Sequence, residues 1–143
     1  MSGEFHSNDE ISDKVKVLCG HGYEYFDQGD FDNALRLFYQ AWITLPSPQT
    51  DRVESGWVLT AIGDAYFKSG KHEQAINALE SALHCRGIDD NPFIYLRLGQ
   101  SLLDTEQLSK ARKLLLKAYQ HGGTKLFEKE PSRYLASIRD LIG

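Results

Sequence analysis

Residues 63–82 read GDAYFKSGKHEQAINALESA, and this stretch decides the fold because the chain carries its pattern three times. Residues 22–41 read GYEYFDQGDFDNALRLFYQA, and residues 99–118 read GQSLLDTEQLSKARKLLLKA. In each copy an alanine follows the first glycine by twelve residues, and a large side chain and a second alanine come four and seven residues after that alanine. Self-similarity of this kind indicates a repeat architecture.

Each copy has the pattern of two packed helices. The leading glycines, Gly22, Gly63 and Gly99, allow a neighbouring helix to approach the backbone closely. In the second helix two alanines lie seven residues apart on one face, with Phe38, Leu79 or Leu115 between them. Because a small, large, small pattern of this kind is typical of a crossing point between helices, we interpret these apolar stripes as core.

The pattern resembles the tetratricopeptide repeat, a helix-turn-helix unit of roughly 34 residues. The resemblance covers residues 15–125 and implies an all-α fold, a right-handed α-solenoid of three helix pairs. The repeats would occupy about 15–48, 49–89 and 92–125, within a repeat domain over 11–125. A C-terminal capping helix is expected over 126–143, since a solenoid leaves its last apolar face uncovered. Residues 1–10 are expected to form a flexible N-terminus.

The helix ends follow from capping residues and from breaker residues. The sequence predicts helices at about 13–28, 31–45, 48–68, 72–85, 92–104, 108–120 and 131–141. Asp30 and Asn91 are predicted N-caps, because short polar side chains accept hydrogen bonds from the free amides of a first turn. Gly63 follows Gly22 by 41 residues, which is about two helical turns more than the repeat period. We therefore expect an extension of the third helix over 48–55.

Composition places the chain among ordinary globular proteins. It has 143 residues, of which 41% are hydrophobic and 25% are charged. No apolar run approaches the eighteen or so residues that a membrane span needs, and the first ten residues lack an apolar signal core. Cys19 and Cys85 are too few for a disulfide framework. The sequence therefore predicts a cytoplasmic location, reduced thiols and no membrane partner.

The resemblance also implies where a partner would bind, namely in the concave groove lined by the odd-numbered helices. Aromatic and arginine side chains are favoured anchors in such places. The alternative is that the phenylalanines only seal adjacent helices. The predicted groove residues are Cys19, Tyr23, Phe26, Trp57, Thr60, Asp64, Phe67, Lys68, Phe93, Leu96, Arg97 and Gln100.

Charge is unevenly distributed along the chain, whose formal net charge is −4. Residues 1–70 hold eleven acids and five bases, whereas residues 71–143 hold nine acids and eleven bases. One interpretation is solvated helix faces and caps. The other is an acidic, aromatic groove that suits a basic protein or peptide. Nucleic acid is not an expected partner, because phosphate binding needs a basic surface.

The expected function is therefore a non-enzymatic interaction module, an adaptor or chaperone-like protein. The alternative is a bacterial immunity protein that neutralises a toxin by tight binding. Chaperone-binding members of the resembled family clamp a terminal carboxylate with basic residues on the first and fifth helices. Here Cys19, Tyr23 and Phe93 stand at three of those positions and only Arg97 matches the set, so chaperone tails are not expected ligands. A homodimer, or docking of the C-terminal helix onto a partner, stays open.

Catalysis is not expected. The pairs Cys19/His21 and His84/Cys85 do not converge readily on one metal, because adjacent helical residues point about 100 degrees apart. The sequence has no glycine-rich phosphate loop and no nucleophile elbow. We therefore expect no catalytic residues, no metal and no cofactor.

Overall fold

The computed structural model describes residues 8–142, and these fold as an all-α solenoid without a strand. The helices are α1 (Asn8–Asp27), α2 (Phe31–Thr44), α3 (Val53–Lys68), α4 (His72–Ala82), α5 (Pro92–Asp104), α6 (Leu108–Phe127), α7 (Ser132–Ala136) and α8 (Arg139–Ile142). Residues 1–7, most of the expected flexible N-terminus, lie outside the described residues. Residues 8–10 belong to the first turn of α1, which begins about five residues before the predicted start at residue 13.

The helices pack in sequential pairs, α1 on α2, α3 on α4 and α5 on α6, and the repeat glycines mark the closest approaches. A Cβ added at Gly22 would lie 2.3 Å from Phe38 Cε1, and one at Gly63 would lie 2.5 Å from Leu79 Cγ. Real Cβ atoms do not come so close to another heavy atom. Glycine is therefore required where each large side chain of the second helix meets the first helix.

The predicted caps of α2 and α5 are confirmed. Asp30 Oδ1 accepts a hydrogen bond from the backbone amide of Asn33 at 3.2 Å. Asn91 Oδ1 accepts one from the amide of Phe93, also at 3.2 Å. Each bond satisfies an amide that has no partner within the helix, and this fixes where the helix begins.

The predicted helical extension over 48–55 is wrong for residues 48–52, and only residues 53–55 belong to α3. Gln49–Asp51 forms a single 3₁₀ turn, Arg52 has an extended backbone, and α3 begins only at Val53. Two side-chain bonds hold this turn. Gln49 Nε2 donates to the carbonyl of Trp42 at 3.0 Å, and the Ser55 hydroxyl donates to the carbonyl of Gln49. Local polar bonds thus compete successfully with helical ones in this segment.

The C-terminal segment also differs from the prediction of one helix over 131–141. The helix α6 continues to Phe127 across a break at Gly123, where φ is 67° and favours glycine. Two short helices, α7 and α8, follow in place of one. In a continuous helix the backbone amide of Leu141 would bond the carbonyl of Ser137. That carbonyl instead accepts a hydrogen bond from Arg112 Nε at 3.1 Å, and the amide of Leu141 donates to the carbonyl of Ile138. This separates α7 from α8.

Substituting two glycines of α1 tests the close approach of paired helices. Gly20 and Gly22 share one helix, but a Cβ at Gly20 would meet nothing within 4 Å. Gly20→Ala should therefore raise the free energy of unfolding by up to about 1 kcal/mol through helix propensity. Gly22→Ala should lower it by roughly 1–3 kcal/mol, because the methyl group overlaps the Phe38 ring. Urea denaturation measures both, and equal effects of the two changes would contradict the packing account.

Candidate functional site

The odd-numbered helices enclose a pocket, called here the α1–α3–α5 pocket, with a volume of about 440 Å³. Its lining comes from α1, from α3 and from the start of α5, and comprises Val15, Lys16, Cys19, Tyr23, Trp57, Thr60, Asn91 and Phe93. Trp57 is 43% exposed although it is a large apolar side chain. A half-exposed tryptophan beside other aromatic rings is typical of a surface that buries itself against a partner.

The polar groups of this pocket are mainly hydrogen-bond donors. Lys16 Nζ lies 5.9 Å from the centre of the Trp57 ring and has no ion pair within the described part of the chain. Neither the Tyr23 hydroxyl nor the Asn91 amide nitrogen makes a hydrogen bond to any residue in 8–142. Thr60 differs, since its hydroxyl donates to the carbonyl of Gly56 at 2.6 Å.

Burial raises the pKa of the Cys19 thiol to about 11. At neutral pH this sulfur is therefore a thiol and not a thiolate, and it contributes apolar surface to the pocket. Burial is also the main cause that raises the pKa of Tyr23, and the charge of Asp64 adds to it. The Tyr23 phenol consequently stays protonated and able to donate.

Beyond the pocket, the same face is closed by a buried cluster around Arg97. Arg97 Nε donates to Asp64 Oδ1 at 2.7 Å, and its Nη1 donates to Gln100 Oε1 at 2.7 Å and to Glu130 Oε1 at 2.6 Å. Gln100 Nε2 donates to the same Glu130 oxygen at 2.7 Å. The guanidinium carbon also lies 4.6 and 5.0 Å from the ring centres of Phe93 and Phe67. We call these residues the Arg97 cluster.

The C-terminal segment covers this part of the face. Glu130 reaches Arg97, and the Tyr134 hydroxyl donates to Asp104 Oδ2 at 2.7 Å. The Tyr134 ring also lies 6.5 Å from that of Phe67. Tyr134 and Ile138 are fully buried in one apolar cluster with Leu96. The segment therefore covers the last apolar surface of the repeats and at the same time places a carboxylate on Arg97.

Two carboxylates share one cation in the Arg97 cluster, and their pKa values move in opposite directions. Burial raises the pKa of Asp64, although the neighbouring Arg97 opposes this shift. For Glu130 burial acts the same way, but the hydrogen bond from Gln100 and the charge and bond of Arg97 outweigh it, so the pKa is lowered. Of the two carboxylates, Glu130 is therefore the one more firmly held in its charged form.

The structure divides the twelve predicted groove residues into three groups. The pocket brings together five of them, Cys19, Tyr23, Trp57, Thr60 and Phe93. The Arg97 cluster shares Phe93 with the pocket and holds four others, Asp64, Phe67, Arg97 and Gln100. Of these four, Asp64, Arg97 and Gln100 are buried. The other three are scattered: Phe26 packs on Phe31, Lys68 is exposed, and Leu96 is buried under the C-terminal segment.

Sequence reasoning missed Val15, Lys16 and Asn91 in the pocket and Glu130 in the Arg97 cluster. Val15 and Lys16 precede Cys19 by one helical turn, so the register of the first helix was a usable signal. Asn91 was predicted as a cap alone. Glu130 lies 33 residues from Arg97, and no spacing in the sequence indicates that pairing.

Arg97 is the one residue that the resemblance matches to the carboxylate clamp of chaperone-binding relatives. In this chain its guanidinium is 4% exposed and donates to Asp64 at 2.7 Å and to Glu130 at 2.6 Å. The matched cation is therefore already paired within the chain.

Comparison with known proteins shows the family. Two models, each described as Tetratricopeptide repeat, match residues 15–86 and 60–125. The chain therefore belongs to the tetratricopeptide repeat family, as its sequence pattern predicts. By sequence, no curated protein matches it.

Solved structures share the fold. The first repeat domain of Spaghetti (RPAP3), bound to an HSP90 peptide, is 21% identical, with a TM-score of 0.70 over 92% of this chain and 94% of that one. The Aspergillus fumigatus Sgt2 domain is 21% identical, with a TM-score of 0.69 over 90% and 78%. SycD, a Yersinia enterocolitica type III secretion chaperone in complex with a peptide of the translocator YopD, is 15% identical. Its TM-score is 0.66 over 91% of this chain and 93% of that one.

Two further findings concern the described residues. None of their helices is long and apolar enough to cross a membrane. Nor do residues 8–142 bring together three histidine, cysteine, aspartate or glutamate side chains in a way that could hold a metal ion.

Replacing Glu130 tests its contribution to the Arg97 cluster. Glu130→Gln should lower the free energy of unfolding at pH 7 by about 1–3 kcal/mol, because charged hydrogen bonds are lost. The lowered pKa of Glu130 means that its contribution is present above the ordinary value of 4.5 and is lost as pH falls through the folded-state value. The difference between wild type and variant should therefore shrink under acid conditions.

Glu128→Gln is the matched control, because Glu128 is an exposed carboxylate of the same segment. It should change stability by no more than about 0.5 kcal/mol. Denaturant titrations of the three proteins at several pH values measure these differences. An effect of Glu130→Gln that is equal to the control, or that does not change with pH, would contradict the assigned contact.

Proposed function

We propose that this chain is a non-enzymatic protein-interaction module that binds an extended segment of a partner protein in the α1–α3–α5 pocket. The observation that carries the proposal is the half-exposed Trp57, which stands beside Tyr23 and Phe93 in a cavity of about 440 Å³. Cavities of this size with aromatic walls and few polar groups are typical binding sites. The role is that of an adaptor or a chaperone.

The fold supports the same proposal. The similar domains of Spaghetti (RPAP3) and SycD are described with bound peptides. In this chain the Arg97 cluster is closed by its own Glu130, so the proposed contact surface is the pocket alone. A partner can reach Trp57 without displacing the C-terminal segment, because no described residue of that segment lines the pocket.

Two narrower predictions gain no support from the site. The alternative of a toxin-neutralising immunity protein depends on an acidic groove, yet Asp64 is buried and paired with Arg97 at 2.7 Å. That role stays a prediction, as does a homodimer. Catalysis is not proposed.

Capture from a lysate of the organism that encodes the chain tests the proposal. Wild type is compared with Trp57→Ala and with Tyr23→Ala, and retained proteins are identified by mass spectrometry. A partner should bind wild type and lose roughly tenfold or more in affinity for Trp57→Ala, as for a central aromatic anchor. The affinity is then measured with the purified partner.

The control is Ile43→Ala, which removes an apolar side chain of α2 that is 78% exposed and lies outside the pocket. Circular dichroism must show that all variants are folded. A partner that binds Trp57→Ala and wild type equally well, but is lost with Ile43→Ala, would place the binding surface on the opposite side of the repeats.

A further inference from the structure

The pocket's unpaired polar groups define the chemistry of its occupant, an inference that rests on the proposed function. Lys16 provides an ammonium group at the rim, Tyr23 a hydroxyl and Asn91 an amide nitrogen. The Asn91 oxygen is already engaged by the amide of Phe93. Each remaining group can donate a hydrogen bond, and the first also carries a positive charge. They therefore complement a segment rich in acceptors.

Carboxylates do not offset this character. Asp64 is the one acid among the predicted groove residues, and its side chain accepts from Arg97 Nε at 2.7 Å. Glu54, on the same helix as Trp57, is buried and lies 3.4 Å from Arg52 Nη2. Among residues 8–142 no carboxylate lines the pocket itself, and the two buried acids nearest to it along α3 are each paired with an arginine.

We infer that the pocket binds an acidic partner segment, in which a large apolar side chain packs against Trp57 and Phe93 and a nearby aspartate or glutamate pairs with Lys16. This reverses the sequence expectation of a basic partner. Lys16 Nζ lies 5.9 Å from the Trp57 ring centre, so one ligand residue on the ring and a carboxylate close to it in sequence reach both groups. A basic side chain of the partner at this rim would be repelled by Lys16.

A phage-displayed random peptide library selected against the full chain tests the inference. Enriched peptides are synthesised with a fluorescent label and titrated with wild type, Trp57→Ala, Lys16→Glu and Lys14→Glu. Lys14 is the matched control, since it is an exposed lysine of the same helix that does not line the pocket. All four proteins are first compared by thermal denaturation.

The expected peptides lose binding to Trp57→Ala and carry an aspartate or glutamate within a few residues of a large apolar side chain. Lys16→Glu should weaken them roughly fivefold or more, the effect of an exposed ion pair turned repulsive, while Lys14→Glu stays within about twofold. In return, Lys16→Glu should select basic peptides from the same library.

Other outcomes separate the inference from the proposed function. Peptides that need Trp57 but are basic or uncharged, or that bind Lys16→Glu as tightly as wild type, overturn the acidic partner and leave the pocket as a binding site. Failure to enrich peptides, or equal binding to Trp57→Ala, overturns both. A dimer of the chain that Trp57→Ala abolishes would assign the pocket to a second copy and also overturn the inference.

Discussion

One buried guanidinium holds the α1–α3–α5 face in its observed form. Arg97 is 4% exposed and binds a carboxylate of α3, an amide of its own helix and the carboxylate of Glu130. Two phenylalanine rings lie over it. Leaving a buried charge without partners costs several kcal/mol. The docking of the C-terminal segment is therefore coupled to the packing of α3 on α5, because both provide partners for the same side chain.

This arrangement determines which part of the face is available to a partner. The Arg97 cluster satisfies its charges internally, and Leu96 is buried against Tyr134 and Ile138. The neighbouring pocket is the opposite, since its aromatic rings are partly exposed. The side-chain donors of Lys16, Tyr23 and Asn91 also have no acceptor among the described residues. A face that looks continuous along three helices thus consists of a closed half that stabilises the fold and an open half suited to binding.

The fold was predictable because its determinants are local and repeated. Gly22, Gly63 and Gly99 occur at fixed distances from the side chains that they contact, and caps such as Asp30 act within three residues. The site was predictable only in part. Helical register identified Tyr23 and Trp57, but the state of Arg97 depends on a residue 33 positions away. The path of the tail depends on bonds such as Arg112 to Ser137, which no periodicity encodes.

The C-terminal segment encloses Arg97 in the free chain. Solution NMR of the free chain tests this enclosure most directly, through the Nε proton of Arg97 and the ring protons of Tyr134. This Nε proton should exchange slowly with water, because it is buried and bonded to Asp64. Nuclear Overhauser effects should also connect the Arg97 side chain with the Phe67 and Phe93 rings, and Tyr134 with Phe67. Fast exchange of the Nε proton, together with the absence of a nuclear Overhauser effect between Tyr134 and Phe67, would show that the C-terminal segment does not enclose Arg97.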